Sequence, residues 1–224
     1  MENKCIIGIP VKNDLESFQY MIRSLEGSTN SYDKIIIIES NSTDGAKEYT
    51  DLLYQKNSKI EVQHIDCTSL QAYNKLFHIA RQQESDLLIT QTDVYFPRLY
   101  KRDWLNEMRL IAQDKDIGAI TTINGGGISG PDYINGLYWL GGWATYFPFR
   151  TIDKIGKYDE NFPGGYGVDI DYSYRIYKAN LQVTRLDYWV EHHMNNAREH
   201  DTSPDSERLK KEASIYFKKK WGFA

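Results

Sequence analysis

Short apolar runs recur along the first half of the chain, each bounded by polar residues: CIIGIPV at 5–11, KIIIIE at 34–39, KIEVQHI at 59–65 and DLLITQT at 86–92. Their length, their β-branched content and the polar punctuation around them predict four strands. The segments between them carry helix-start signals. Asn13-Asp14 precede LESFQYMIRSLE, Ser42-Thr43-Asp44 precede residues 45–55, and Thr68-Ser69 precede LQAYNKLFHIARQQ. Strand and helix thus alternate three times. Two of the strands are apolar nearly throughout, which predicts a mostly parallel sheet covered by helices on both faces, an α/β fold of Rossmann-like type.

A fourth helix is expected at about 98–114, with Leu99, Trp104, Leu105, Met108 and Ile111 at roughly helical spacing, and a further strand at 117–123. The second half alternates less cleanly. It reads as a Gly-rich loop at 124–136, an aromatic stretch at 137–149, a short helix at 150–157, a second Gly-rich loop, a helix at 169–179 with Ile170, Ser173, Tyr174 and Tyr177 facing inward, and a strand near 181–190. Residues 203–222 form a basic amphipathic pattern with Leu209, Ala213, Tyr216 and Phe217 on one side, predicting a C-terminal helix docked on the body.

At 224 residues a single domain suffices. Apolar content of 41% with 26% charged residues fits a soluble globular chain, and the net charge of −4 argues against a nucleic-acid partner, whose phosphates reward clustered Lys and Arg. Two cysteines, Cys5 and Cys67, build neither a disulfide framework nor a zinc motif and read as reduced, buried thiols. The N-terminal apolar stretch is far too short for a signal h-region or a membrane span, so a cytoplasmic chain without a transmembrane segment is expected. The 17 Tyr and 5 Trp, many after residue 130, suit both sugar faces and a packed core.

In parallel α/β sheets, ligands sit beyond the carboxyl ends of the strands, where helix N-termini present free N–H groups. Polar residues gather at those places: Pro10, Lys12 and Asn13 after the first strand, Glu39, Ser40 and Asn41 after the second, Asp66 after the third and Asp93 after the fourth. Each also has a structural reading. Asn13 or Ser42 fits as a helix cap, Glu39 as a solvated strand end, and Asp93 as the organiser of the Tyr95-Phe96-Pro97 turn.

IIGIPVKNDLESFQYMIRSL, IIIIESNSTDGAKE, QAYNKLFHIA and DLLITQTDVYFP resemble, in that order, the opening strand and helix, the acidic strand end, the Ala-x-Asn helix and the Asp-x-Asp region of the family 2 glycosyltransferases of GT-A fold. The likeness runs through most of the chain. It implies residues 1–123 as a nucleotide-sugar-binding half, 124–202 as an acceptor-side half and 203–224 as the C-terminal helix of one GT-A-like domain. It places Glu39 on the nucleotide base, with Pro10, Asn13 and Asn41 in the same pocket, and puts Asn74, Thr92 and Asp93 near the nucleotide. Gln91 stands where the family has its first acid, leaving Asp93 to hold a divalent metal, Mn²⁺ or Mg²⁺, with phosphates and water. His192 and His193 follow the last strand, where the family often has a His, and either could complete the metal site or be structural.

The segment GGWATYFPFRTIDKIGKYDENFPGGYGVDIDYSYRIYKANLQV is similar to the family's acceptor-side module. The family's catalytic base falls on Asp169, while Val168 replaces the usual preceding Glu. Asp171 belongs to the same acidic group on the substrate side, and its i,i+4 spacing to Arg175 also suits a helix brace. Gly141, Gly142 and Trp143 suit approach to the donor sugar, or a bulge. The implied activity is transfer of a sugar from a nucleotide-diphosphate sugar to a hydroxyl of a glycan, protein or lipid acceptor, by inverting direct displacement. The basic tail allows peripheral contact with an anionic surface. Two other readings stay open: a nucleotidyltransferase acting on a sugar phosphate, disfavoured because the first turn has no glycine, and a catalytically degenerate carbohydrate-binding protein.

Overall fold

The computed structural model describes residues 4–98, 102–124, 133–134, 137–141, 143–192 and 202–222. The first half follows the expected alternation: β1 (Cys5–Val11), α1 (Leu15–Ser28), β2 (Lys34–Glu39), α2 (Ala46–Lys56), β3 (Ile60–His64), α3 (Ser69–Gln82) and β4 (Asp86–Thr90). Then come β5 (Val94–Tyr95), α4 (Trp104–Ile111), β6 (Ile117–Asn124), the small hairpin β7 (Tyr133–Ile134) and β8 (Leu137–Tyr138), β9 (Ala144–Phe147) and α5 (Phe149–Ile155). A 3-10 turn at Pro163–Gly165 leads into α6 (Val168–Lys178), β10 (Gln182–His192) and α7 (Pro204–Trp221).

Among the described residues, eight strands form one sheet in the order β3-β2-β1-β4-β9-β6-β10-β5. β3, β2, β1 and β4 are mutually parallel, as are β6 and β10, but β9 runs antiparallel to both β4 and β6 and joins the two parallel groups. The sequence pattern gave no strand there. All four residues of β9 are buried, so it carries no period-2 alternation, and its aromatic content suits helix and strand alike.

The pleat divides the core. Cys5, Ile7, Ile9 and Val11 of β1 pack on the face covered by α1, α2 and α4, while Ile6 joins the face covered by α3, α5, α6 and α7. Gly8 sits under α3, and a Cβ there would lie 2.8 Å from a Leu76 methyl, so this glycine sets how closely α3 lies on the sheet.

Several local expectations are revised. The cap of α1 comes from another segment: Asp44 Oδ2 accepts from Leu15 N, and its Oδ1 accepts from Ala46 N, so one carboxylate holds the first turns of α1 and α2 together. α4 starts later than the periodicity implied, because Asp103 caps it by accepting from Asn106 N, and Leu99 lies outside the described residues. On α6 the inward residues are Val168, Asp171, Tyr172, Ser173 and Ile176, whereas Ile170 is exposed. Core packing of Tyr172 and Ile176 rotates the stripe away from the expected one. Cys5 is buried and burial pushes its thiol pKa far up, but Cys67 is only half-buried, and both are free.

Candidate active site

A cleft of about 350 Å³ opens at the carboxyl ends of β1 and β4. One wall comes from the turn after β1, the N-terminal end of α3 and the turn after β4. The other comes from Tyr158 and the segment Gly164–Asp169. Lys12 and Asp14 stand at one margin, while Thr68, Ser69 and Tyr73 present the start of α3. Thr68 makes a reciprocal capping box with Gln71, which fixes where that helix begins at the cleft.

Asp93 and His192 meet on the cleft wall although they are 99 residues apart. β5 pairs antiparallel with the end of β10, opposing Val94 to His192, and this register carries the Asp93 turn to the imidazole. Asp93 Oδ2 lies 3.1 Å from His192 Nε2. Both side chains are mostly buried, with 11% and 6% of their surface exposed, so the pair faces little beyond the cleft. A carboxylate oxygen and an imidazole nitrogen at this separation form a donor set that suits Mn²⁺ better than Mg²⁺. Among the described residues no group of three or more His, Cys, Asp and Glu converges as a metal site.

Asp169 reaches the cleft from the first turn of α6. The chain turns into this helix through Gly164, Gly165 and Gly167, all at positive φ (63°, 74° and 74°), a conformation that most side chains resist. Asp169 Oδ1 accepts from Ile170 N at 2.9 Å, which orients the carboxylate, and its main-chain carbonyl accepts from Ser173 Oγ. Val168 is buried in the α6-side core, so the position where the resembling family carries an acid is here a packing residue.

Other candidates lie away from the cleft lining. Glu39 is fully buried, with Oε1 accepting from Ser42 N at 2.6 Å and Oε2 2.8 Å from His64 Nδ1. Burial raises its pKa, but the bonds from His64 and Ser42 outweigh that and hold it below the ordinary value; the Glu39 bond in turn raises the pKa of His64 against its own partial burial. Asn13 ties the turns after β1 and β2, its Oδ1 accepting from Thr43 N and its own N–H donating to Ser42 Oγ, and Asn41 is exposed beside them. Buried Asn74 donates to Tyr158 O and Glu160 Oε1, so it fixes the segment that carries Tyr158. Trp143 is also core: its Nε1 donates to Thr122 O, and its indole lies over Gly141, where a Cβ would meet the ring at 2.3 Å. Asp171 is buried against α7. Gly142 and His193 lie outside the described residues.

Of the residues expected from sequence, Pro10, Lys12, Ser40, Thr92, Asp93, Asp169 and His192 therefore share the cleft. Sequence reasoning missed Tyr73, Tyr158 and the Gly164–Gly167 turn. The capping box at Thr68 and the clustered glycines of PGGYG were the signals that could have found them.

No protein-family model matches the sequence, and no curated protein sequence matches it. Solved structures do match the fold. A mannosyltransferase from Pyrobaculum calidifontis, solved with GDP-Man and Mn²⁺, aligns over 100% of this chain and 72% of its own with a TM-score of 0.67 at 15% identity. The fold is the GT-A glycosyltransferase fold. GalNAc-T7, solved with UDP, GalNAc and Mn²⁺, shares this GT-A fold over 85% of the chain and 44% of its own, with a TM-score of 0.64 at 14% identity. S. aureus TarS does so over 96% and 40%, with a TM-score of 0.66 at 11% identity. The chain thus spans less than half the length of these last two. Within the GT-A fold, no described helix is long and apolar enough to cross a membrane.

Proposed function

We propose that this protein transfers a sugar from a nucleotide-diphosphate sugar to an acceptor hydroxyl, with inversion at the anomeric carbon. One observation carries the reading: the Asp93–His192 pair and the Asp169 carboxylate open into the same cleft, at the carboxyl ends of the parallel strands. The GT-A fold and the nucleotide-sugar ligands of the matching mannosyltransferase point the same way. Asp93 and His192 would hold a divalent cation with the donor's diphosphate. When bound, that cation supplies positive charge where the nucleoside diphosphate leaves.

The chain's own groups account for the rest. Asp169 takes the proton of the acceptor hydroxyl as that oxygen forms its bond to the anomeric carbon. The bond from that carbon to the diphosphate oxygen breaks, and its electron pair departs with the nucleoside diphosphate. Attack from the face opposite the leaving group inverts the configuration. Ser69, in the first turn of α3 beyond the capped Thr68, would offer its main-chain N–H to an anionic ligand, and Lys12 adds a cation at the margin.

The test is nucleotide release from a panel of nucleotide-sugars with and without Mn²⁺, comparing the intact chain with Asp93→Ala and His192→Ala. Release that depends on Mn²⁺ and drops about a hundredfold in both variants is expected, as for loss of several kcal/mol of leaving-group stabilisation. Release by the variants at the parent rate would remove the metal assignment. Binding of glycans without release from any donor would favour a carbohydrate-binding protein instead.

A further inference from the structure

The C-terminal helix makes one set of contacts that the cleft chemistry does not explain. Lys220, in the last turn of α7, sits between two carboxylates: its Nζ lies 2.7 Å from Asp159 Oδ2 and 2.7 Å from Asp171 Oδ1. Asp171 is fully buried, and its other oxygen accepts from Arg175 Nε at 3.0 Å, while Trp221 Nε1 donates to Oδ1 at 3.0 Å. Asp159 also accepts from Tyr216 Oη and from Asn161 N.

These contacts converge on the wall that presents Asp169. Asp159 follows Tyr158 of the cleft lining, and Asp171 lies two residues beyond Asp169 on the same helix. Further back along α7, Ser206 Oγ hydrogen-bonds Tyr166 Oη at 2.7 Å, and Leu209 packs where a Cβ on Gly164 would come within 3.2 Å. The turn itself is rich in glycine and has little side-chain bulk to hold its own shape.

We infer that Lys220 is a positioning residue, which clamps α7 onto the Tyr158–Asp171 segment and thereby sets the place of the Asp169 carboxylate and of the acceptor wall. Two negative charges drawn to one ammonium give the clamp a centre that a neutral side chain cannot supply, and burial makes the geometry strict. Arg175 reinforces it by donating to the carbonyls of Ile155 and Lys157, the residues that lead into Asp159. The inference rests on the transferase reading for its consequence on rate, but the clamp itself has a separate readout.

The experiment compares Lys220→Met, Lys220→Arg and the parent chain by donor KM, transfer kcat and amide hydrogen exchange over residues 158–171. Lys220→Met is expected to lower kcat about ten- to a hundredfold, as expected of a small misplacement of the base, with donor KM within about twofold. Exchange over 158–171 rises in this variant, and Lys220→Arg restores both readouts. Trp221→Phe keeps an aromatic ring beside Tyr174 and deletes the N–H donated to Asp171, so it carries the same test with a smaller effect should Lys220→Met not fold. Unchanged exchange in Lys220→Met, or equal loss in Lys220→Met and Lys220→Arg, would overturn the inference. A parent chain inactive on every donor would overturn the transferase reading alone, because exchange still reports on the clamp.

Discussion

The two walls of the cleft are held in place by different means. Behind the wall after β1 and β4, parallel strands end together and short side chains bond the main chain of neighbouring turns: Asp44 caps two helices at once, and Asn13 and Ser42 stitch adjacent turns over about thirty residues of sequence. The wall carrying Asp169 rests on side chains brought from 50 and 61 residues away, with buried Asp171 and half-buried Asp159 drawing the end of α7 onto a glycine-rich turn. The first kind spreads its support over several exposed bonds between neighbouring turns. The second concentrates it on Lys220 and the buried Asp171 carboxylate.

The largest expected effect separates chemistry from support. Asp169→Asn keeps the side-chain shape and the bond accepted from Ile170 N while removing the proton acceptor, so kcat for transfer should fall by about 10²–10⁴, with nucleotide affinity retained. Asp171→Ala, two residues on, should act in the opposite way. It leaves Arg175 and Lys220 without their buried partner, and denaturant unfolding is expected to show a loss of about 3–5 kcal/mol. If Asp171→Ala instead left stability intact and raised only the acceptor KM, the contrast between the walls would be lost.

Gly141→Ala tests the seam between them. The new methyl would meet the indole of Trp143, whose N–H is fixed on Thr122 O, and overpacking of this kind costs about 1–3 kcal/mol, measurable as a fall in Tm. The smallest effect belongs to the strand ends behind the first wall. His64 has its folded pKa raised above the ordinary 6.5, so its contribution is complete below about that pH and fades as pH rises through the folded value. Glu39 has its folded pKa lowered below 4.5, so its contribution is present above that pH and fades as pH falls through the folded value. Stability of the parent minus that of Glu39→Gln should therefore be greatest between the two, and since His64 is 36% exposed the change stays below about 1 kcal/mol.

Sequence made the first wall legible because its signals are local. Short β-branched apolar runs, start signals and strand-end polarity locate β1 to β4 and the places of Pro10, Thr92 and Asp93, and the alternation of strand with helix indicates the parallel order. The α/β class and the GT-A resemblance agree with the fold observed. What escaped was non-local. β9 is four residues long with one β-branched side chain, the Asp93–His192 contact depends on a two-residue strand, and the inward face of α6 follows from packing of Tyr172 and Ile176. Glu39 and Asn74 looked like ligand groups from their positions, yet in the fold both Glu39 oxygens hold Ser42 and His64, and the Asn74 amide nitrogen holds Tyr158 and Glu160.

The most direct measurement is a crystal structure of the chain with a nucleoside diphosphate and Mn²⁺. The expected result has the ion on Asp93 and His192, the diphosphate beside it in the cleft, and the Asp169 carboxylate facing the space next to the terminal phosphate. A nucleotide seated elsewhere, or an ion that touches neither Asp93 nor His192, would contradict the assignment of this cleft as the transfer site.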